Sequence, residues 1–296
     1  MRRSSVDDTI RPDVLFVGPM RSGTSWLHQY LTARGDVCLP LKVKETFFFD
    51  RHFDRDAGWY ARHFRHYRPD HHLHIAEVAP SLFPDAQATA HVASFVGERI
   101  AIVFTLRDPI ERAWSHYCHY RKMGFIGPGL AEALKRHPEI IAASRYRLCL
   151  ERWHRLIPHA HFVTLHLDML CASPEHYVRS VCQALDLPER SPGDLAGQRI
   201  NAASAPTTRW IAGSGAWLSL RLRAAGFYTL VNVAKRAGLK RVFFGAADAD
   251  TPQPCPSELA VLEDQLSEEA EHYGRTRAGV ARSNLTSDNA PRGRQG

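Results

Sequence analysis

The chain has 296 residues, enough for one large domain or two small ones with a buried core. Its 44% hydrophobic and 23% charged residues are those of an ordinary globular protein, which argues against a disordered or membrane-embedded chain. A formal net charge of +7 suits an anionic partner (a nucleotide, an acidic glycan, a nucleic acid or a membrane surface) without choosing among them.

Residues 1–12 form a polar segment without the apolar core of a signal peptide. No apolar run reaches the about 20 residues needed to span a bilayer. Cys38, Cys118, Cys149, Cys171, Cys182 and Cys255 are scattered, with no Cys-x-x-Cys pair. That pattern predicts reduced thiols, no zinc site and a soluble, cytoplasmic protein without a transmembrane segment.

In chain order, apolar and β-branched runs at residues 14–17, 37–39, 75–78, 100–106 and 162–167 predict short strands, with helical patterns filling most of the gaps. The alternation predicts an α/β fold: a single domain over residues 13–276, with a central parallel sheet flanked by helices. A nucleotide site is expected at the carboxyl ends of the strands. Residues 201–246, rich in Ala, Leu and Arg, read as helices packed on the sheet. Residues 257–273 read as an acidic amphipathic helix with Leu259, Leu262, Leu266 and Ala270 on one face. Residues 277–296 read as a mobile polar tail.

The first strand runs into Gly18-Pro19-Met20-Arg21-Ser22-Gly23-Thr24-Ser25, and Trp26, Leu27, Tyr30 and Leu31 then recur with helical spacing. A strand, a Gly-containing turn and a helix N-terminus present free backbone N–H groups to a phosphate. Gly18 and Gly23 have the spacing of a Walker A loop, but Thr24 stands where its Lys should follow, and the cation sits earlier as Arg21. Such a loop suits a phosphate and departs from that of an NTPase.

The strand at 100–106 ends in Arg107-Asp108-Pro109-Ile110-Glu111-Arg112. Asp108 predicts an N-cap, Pro109 the first helical position, and Glu111 a capping-box-like partner. Arg107 then sits between strand end and helix start, aimed at the crevice. Ser115, eight positions on, lies two turns into the helix, within reach of the same anion. The plainer reading is an Arg tied to a carboxylate near a helix cap.

These two stretches, Gly18 to Trp26 and Leu106 to Tyr117, resemble the nucleotide motifs of sulfotransferases that use 3′-phosphoadenosine 5′-phosphosulfate (PAPS). Between them, Lys44-Glu45-Thr46-Phe47-Phe48-Phe49-Asp50, Gly58-Trp59-Tyr60 and Glu77-Val78-Ala79-Pro80-Ser81 resemble the glycan (heparan-type) branch and its bacterial relatives. Tyr146, Leu150, Glu151, Arg152, Trp153 and Ser173-Pro174-Glu175 extend the likeness, which covers roughly residues 12 to 190.

The resemblance implies a P-loop-like sulfotransferase fold with PAPS as donor and 3′-phosphoadenosine 5′-phosphate as product. It implies that Arg21, Ser22, Gly23, Thr24, Ser25 and Trp26 bind the 5′-phosphosulfate end, and that Arg107 and Ser115 bind the 3′-phosphate. It makes Glu45 the general base that takes the acceptor proton, with Arg21 also catalytic and Lys42 and Lys44 beside the transferring group. No metal is implied. The acceptor hydroxyl or amine belongs to a small molecule, a lipid or a glycan. The glycan branch commonly has Lys after the Glu of the third block, where this chain has Val78.

Competing readings attach to the same residues. Glu45 could be a surface carboxylate paired with Lys42 or Lys44, and Phe47 to Phe49 core or pocket wall. His71, His72 and His74, with His63 and His66 nearby, read as solvated surface or acceptor loop, because no Cys or carboxylate spacing supports zinc. Ser25 is not a nucleophile elbow, since Gly-x-Ser-x-Gly is missing. A P-loop kinase or NTPase is opposed by Thr24. A basic nucleic-acid-binding protein is opposed by dispersed basic residues and the absence of a binding module, so no nucleic acid is expected as partner.

Overall fold

The computed structural model describes residues 10–197 and 252–288. The predicted helices of residues 201–246 lie outside the described residues, as do residues 1–9.

Five parallel strands form one sheet in the order β2-β3-β1-β4-β5: β1 (Val14–Phe16), β2 (Val37–Cys38), β3 (His74–Val78), β4 (Ala101–Leu106) and β5 (His161–His166). Each lies within about a residue of its apolar run. The central strand β1 pairs with β3 through Val14↔Ala76 and with β4 through Val14↔Ala101. The chain leaves β1 toward one edge, builds β2 and β3 there, and crosses to the other side for β4 and β5. The strand order therefore reverses between β1 and β4, where open α/β sheets form their ligand crevice.

The helices are α1 (Thr24–Arg34), α2 (Phe48–Arg51), α3 (Ala57–Ala61), α4 (Ala86–Phe95), α5 (Pro109–Lys122) and α6 (Leu130–Arg136). They continue with α7 (Glu139–Ala142), α8 (Tyr146–Leu156), α9 (Leu167–Ala172), α10 (Pro174–Ala184) and, after the undescribed stretch, α11 (Pro256–Asp288). Strand alternation sends successive side chains to opposite faces. Leu15, Ile102 and Phe104 pack on α4 and α8 through Val92, Phe95 and Trp153. Val14, Phe16 and Val103 pack on α1 and α10 through Leu27, Leu31, Val178 and Val181. Both faces are covered, which is why the strands read as continuous apolar runs.

A third cluster joins Trp114 and Tyr117 of α5 to Leu262 and Leu266 of α11. Two of the four residues predicted to line the apolar face of α11 are thus buried, and Tyr273, one turn beyond Glu269, is buried in the first cluster beside Tyr146. Glu269, on the same face, is buried against Arg147, accepting from its backbone N–H at 3.2 Å and its Nε at 3.3 Å. The helix runs on to Asp288, past residue 277 where the sequence reading starts a polar tail. Among the described residues no helix is long and apolar enough to cross a membrane.

Candidate active site

The loop after β1 requires glycine at both ends. A Cβ on Gly18 would meet Thr105 Oγ1 at 2.0 Å and the Thr105 carbonyl oxygen at 2.3 Å, so only glycine lets β1 leave the sheet beside β4. Gly23 has φ +85° and caps α1 with no side-chain hydrogen bond, leaving the first amides of α1 to other acceptors. Between them Arg21 is also left-handed, with φ 76°. A non-glycine residue held there costs on the order of 1 kcal/mol or more, the kind of strain that collects at ligand sites.

That conformation carries Arg21 across the crevice to α5, where its Nε donates to Ser115 Oγ at 3.0 Å. Burial lowers the pKa of Arg21, and the neighbouring Arg107 guanidinium lowers it further. Two like charges therefore converge where β1 and β4 end. Arg107 engages the exposed Glu111 carboxylate from Nε at 3.1 Å and from an NH2 group at 3.0 Å. This corrects the expected capping box, since the Glu111 side chain turns to Arg107. Asp108 caps α5 as expected, accepting from the amides of Ile110 and Glu111 at 3.0 Å each.

Within the loop, Ser22 is buried with its hydroxyl unpartnered, Ser25 is half-buried, and Thr24 Oγ1 accepts from Lys44 Nζ at 3.2 Å. The Trp26 side chain is packed between helices. It stacks on Tyr30 at 5.9 Å, meets Tyr177 edge-on at 6.0 Å, and donates its indole N–H to the Leu195 carbonyl at 2.9 Å. It holds α1 to the sheet and to the chain after α10.

Glu45 stands on the other side of Lys44, whose Nζ is 3.6 Å from Glu45 Oε1. With its side chain 17% exposed, burial pushes the Glu45 carboxyl above the usual range. Lys44 pulls it down and Asp50 pushes it up. Lys42 is exposed. Phe48 and Phe49 are buried in the core, as the wall reading expects, whereas Phe47 is half-buried under the Arg51 guanidinium at 4.2 Å.

Two residues outside the predicted set hold this arrangement. Glu77 is fully buried on β3; it accepts the Thr46 amide hydrogen at 2.5 Å and the Tyr60 hydroxyl hydrogen at 3.0 Å. Desolvation raises its pKa to about 7, against these hydrogen bonds. It fixes the backbone immediately after Glu45. Arg112 is also fully buried, donating to Ser144 Oγ at 2.6 Å, to the Ile140 carbonyl and to the Met20 carbonyl at 3.3 Å. It ties α5 to the loop that carries Arg21. An Arg at an inward helical position, five residues after Arg107, was the available sequence signal.

The sulfotransferase domain family matches residues 11–198. Among curated relatives, a membrane-associated sulfotransferase of Dictyostelium discoideum is 28% identical over 36% of this chain and 22% of its own. A mouse heparan sulfate glucosamine 3-O-sulfotransferase is 29% identical over 60% of this chain and 52% of its own. The chain thus spans about half the length, or less, of these two relatives. A sulfotransferase from Alicyclobacillus acidocaldarius superposes with a TM-score of 0.55 at 21% identity, covering 65% of this chain and 88% of that one, a likeness of fold. With two phosphate-type motifs converging on one crevice and more than half its length matched, the chain belongs to the sulfotransferase family.

Proposed function

We propose that this protein moves a sulfuryl group from PAPS to an acceptor hydroxyl or amine, with Glu45 as general base. The observation that carries the reading is the contact of Arg21 with Ser115, which joins the loop after β1 to the helix after β4 and sets Arg107 beside both.

The residues fit a ligand with two separate anionic ends. Arg21, Ser22, Gly23, Thr24 and Ser25 would hold the 5′-phosphosulfate through a guanidinium, an unpartnered buried hydroxyl and the uncapped start of α1. Arg107 and Ser115 would hold the 3′-phosphate. Bound PAPS supplies the sulfuryl group and a phosphate leaving group. Arg21, always protonated, offsets charge on that phosphate and does not give it a proton. Lys44 sits between Thr24 and Glu45, so one cation faces both the donor loop and the base. Glu45 takes the acceptor proton, a role worth about 10²- to 10⁴-fold in rate. Its low solvent exposure and raised pKa make it a better base than an exposed carboxylate.

The acceptor class is a small molecule, lipid or glycan; a glycan is supported by the heparan sulfate sulfotransferases among the relatives. The test is calorimetric titration of the full chain with 3′-phosphoadenosine 5′-phosphate beside ADP. Micromolar binding that needs the 3′-phosphate and disappears in Arg107→Ala is expected. Equal affinity for the two nucleotides would overturn the reading.

A further inference from the structure

We propose that Cys38, His66 and His72 form a binding site for a thiophilic divalent cation of the zinc class. The three residues come from different elements. Cys38 ends β2, His66 follows the short helical turn Arg62–Phe64, and His72 precedes β3. One ligand atom from each lies within 4.8 Å of the other two.

The geometry of the closest pair is that of adjacent zinc ligands. Cys38 Sγ lies 3.5 Å from His66 Nε2. A tetrahedral ion with bonds of about 2.3 Å to sulfur and about 2.0–2.1 Å to nitrogen separates the two donors by about 3.5 Å. The His66 and His72 rings stand nearly perpendicular, at 82° with centroids 5.7 Å apart, so they approach the common point from different directions.

On its open side the cluster meets a cavity of about 500 Å³ lined by Arg65, His66, Tyr67, Arg68, His71 and His72. That space gives an ion a path from solvent and leaves room for water as a fourth ligand. Thiolate and imidazole donors favour zinc and exclude magnesium or calcium, which take oxygen ligands. Two features limit affinity. Arg65 and Arg68 add positive charge, offset in part by the thiolate, and His72 Nδ1 accepts the Arg68 amide hydrogen at 2.9 Å, which that ring must exchange for the ion. His71 and His74 stay out, paired with the Gly35 carbonyl at 3.0 Å and the Leu185 carbonyl at 2.8 Å. A bound ion would clip the end of β2, seven residues upstream of Glu45, to the 66–72 segment.

The test uses the full chain, stripped with chelator and titrated calorimetrically with zinc chloride, with magnesium chloride as control and cobalt(II) as an optical probe. One zinc per chain, no magnesium response and a cobalt–thiolate absorption band are expected. Binding should weaken at least tenfold in Cys38→Ser and in His66→Gln, and stay unchanged in Cys171→Ser and Cys255→Ser, which alter the two exposed thiols. If Cys38→Ser does not fold, His72→Gln, at a partly exposed position, carries the same comparison. No saturable zinc binding, or binding that survives the loss of Cys38 or His72, overturns the site and leaves a hydrogen-bonded thiol–imidazole pair.

Discussion

Arg21 and Ser115, 94 positions apart, are joined by a 3.0 Å hydrogen bond from guanidinium to hydroxyl. The bond spans the crevice between β1 and β4, so under the proposed function the residues that would read the two ends of the donor nucleotide also read each other. Ser115→Ala is expected to weaken 3′-phosphoadenosine 5′-phosphate binding about tenfold, since hydrogen bonds to charged groups are worth about 1.5–3 kcal/mol. A double-mutant cycle with Arg21→Ala should show a coupling energy of about 0.5 kcal/mol or more, measured by calorimetry. Strict additivity would mean that the two residues act on the ligand independently.

Glu111 holds Arg107 in a place where the 3′-phosphate would compete with it. Its side chain is 62% exposed, and exposed ion pairs are worth about 0–1 kcal/mol. Glu111→Gln should therefore tighten binding of the 3′-phosphorylated nucleotide about two- to fivefold. ADP affinity serves as the reference and should not change.

Glu45→Gln keeps the shape beside Lys44 and removes the proposed base. Turnover is expected to fall about 10²- to 10⁴-fold with nucleotide affinity within about threefold. Because burial raises the Glu45 carboxyl, the acid limb of the wild-type rate should lie above the ordinary glutamate pKa of 4.5. A parallel loss of nucleotide affinity and turnover would make Glu45 a structural carboxylate.

Glu77 supplies a pH dependence of stability with a definite sign. Its carboxyl is raised from 4.5 to about 7 in the folded chain. Between those values the folded state holds a proton that the unfolded state has lost, so this group favours folding at low pH and less so as pH rises to 7. Glu77→Gln should flatten that part of the melting-temperature profile between about pH 4.5 and 7. An unchanged slope would place the titration elsewhere.

The sheet was legible because each strand is a short apolar run bounded by polar turns, a signal contained within a few residues. The turn after β1 and the α5 cap were legible for the same reason, since Gly18, Gly23, Asp108 and Pro109 act on their immediate neighbours. Features that depend on strand order were not. Glu77 meets the Thr46 amide across 31 positions, and Cys38 meets His66 across 28. The separation that set the histidines aside as a metal cluster vanishes once β2 pairs with β3. Trp26 begins the helical stripe that faces α10, and its indole ring is engaged in that packing.

The docking of α11 on α5 bears on how much chain makes a stable unit. The family match ends at residue 198, yet Leu262 and Leu266 cover Trp114 and Tyr117 on the back of the helix that presents Ser115. The Pro252 carbonyl also accepts the Trp114 indole N–H at 2.5 Å. A protein stopped at residue 198 would bare an aromatic patch on the back of α5, behind Ser115. The packed core of the described residues therefore extends past the family match, with α11 acting as a splint along the back of α5.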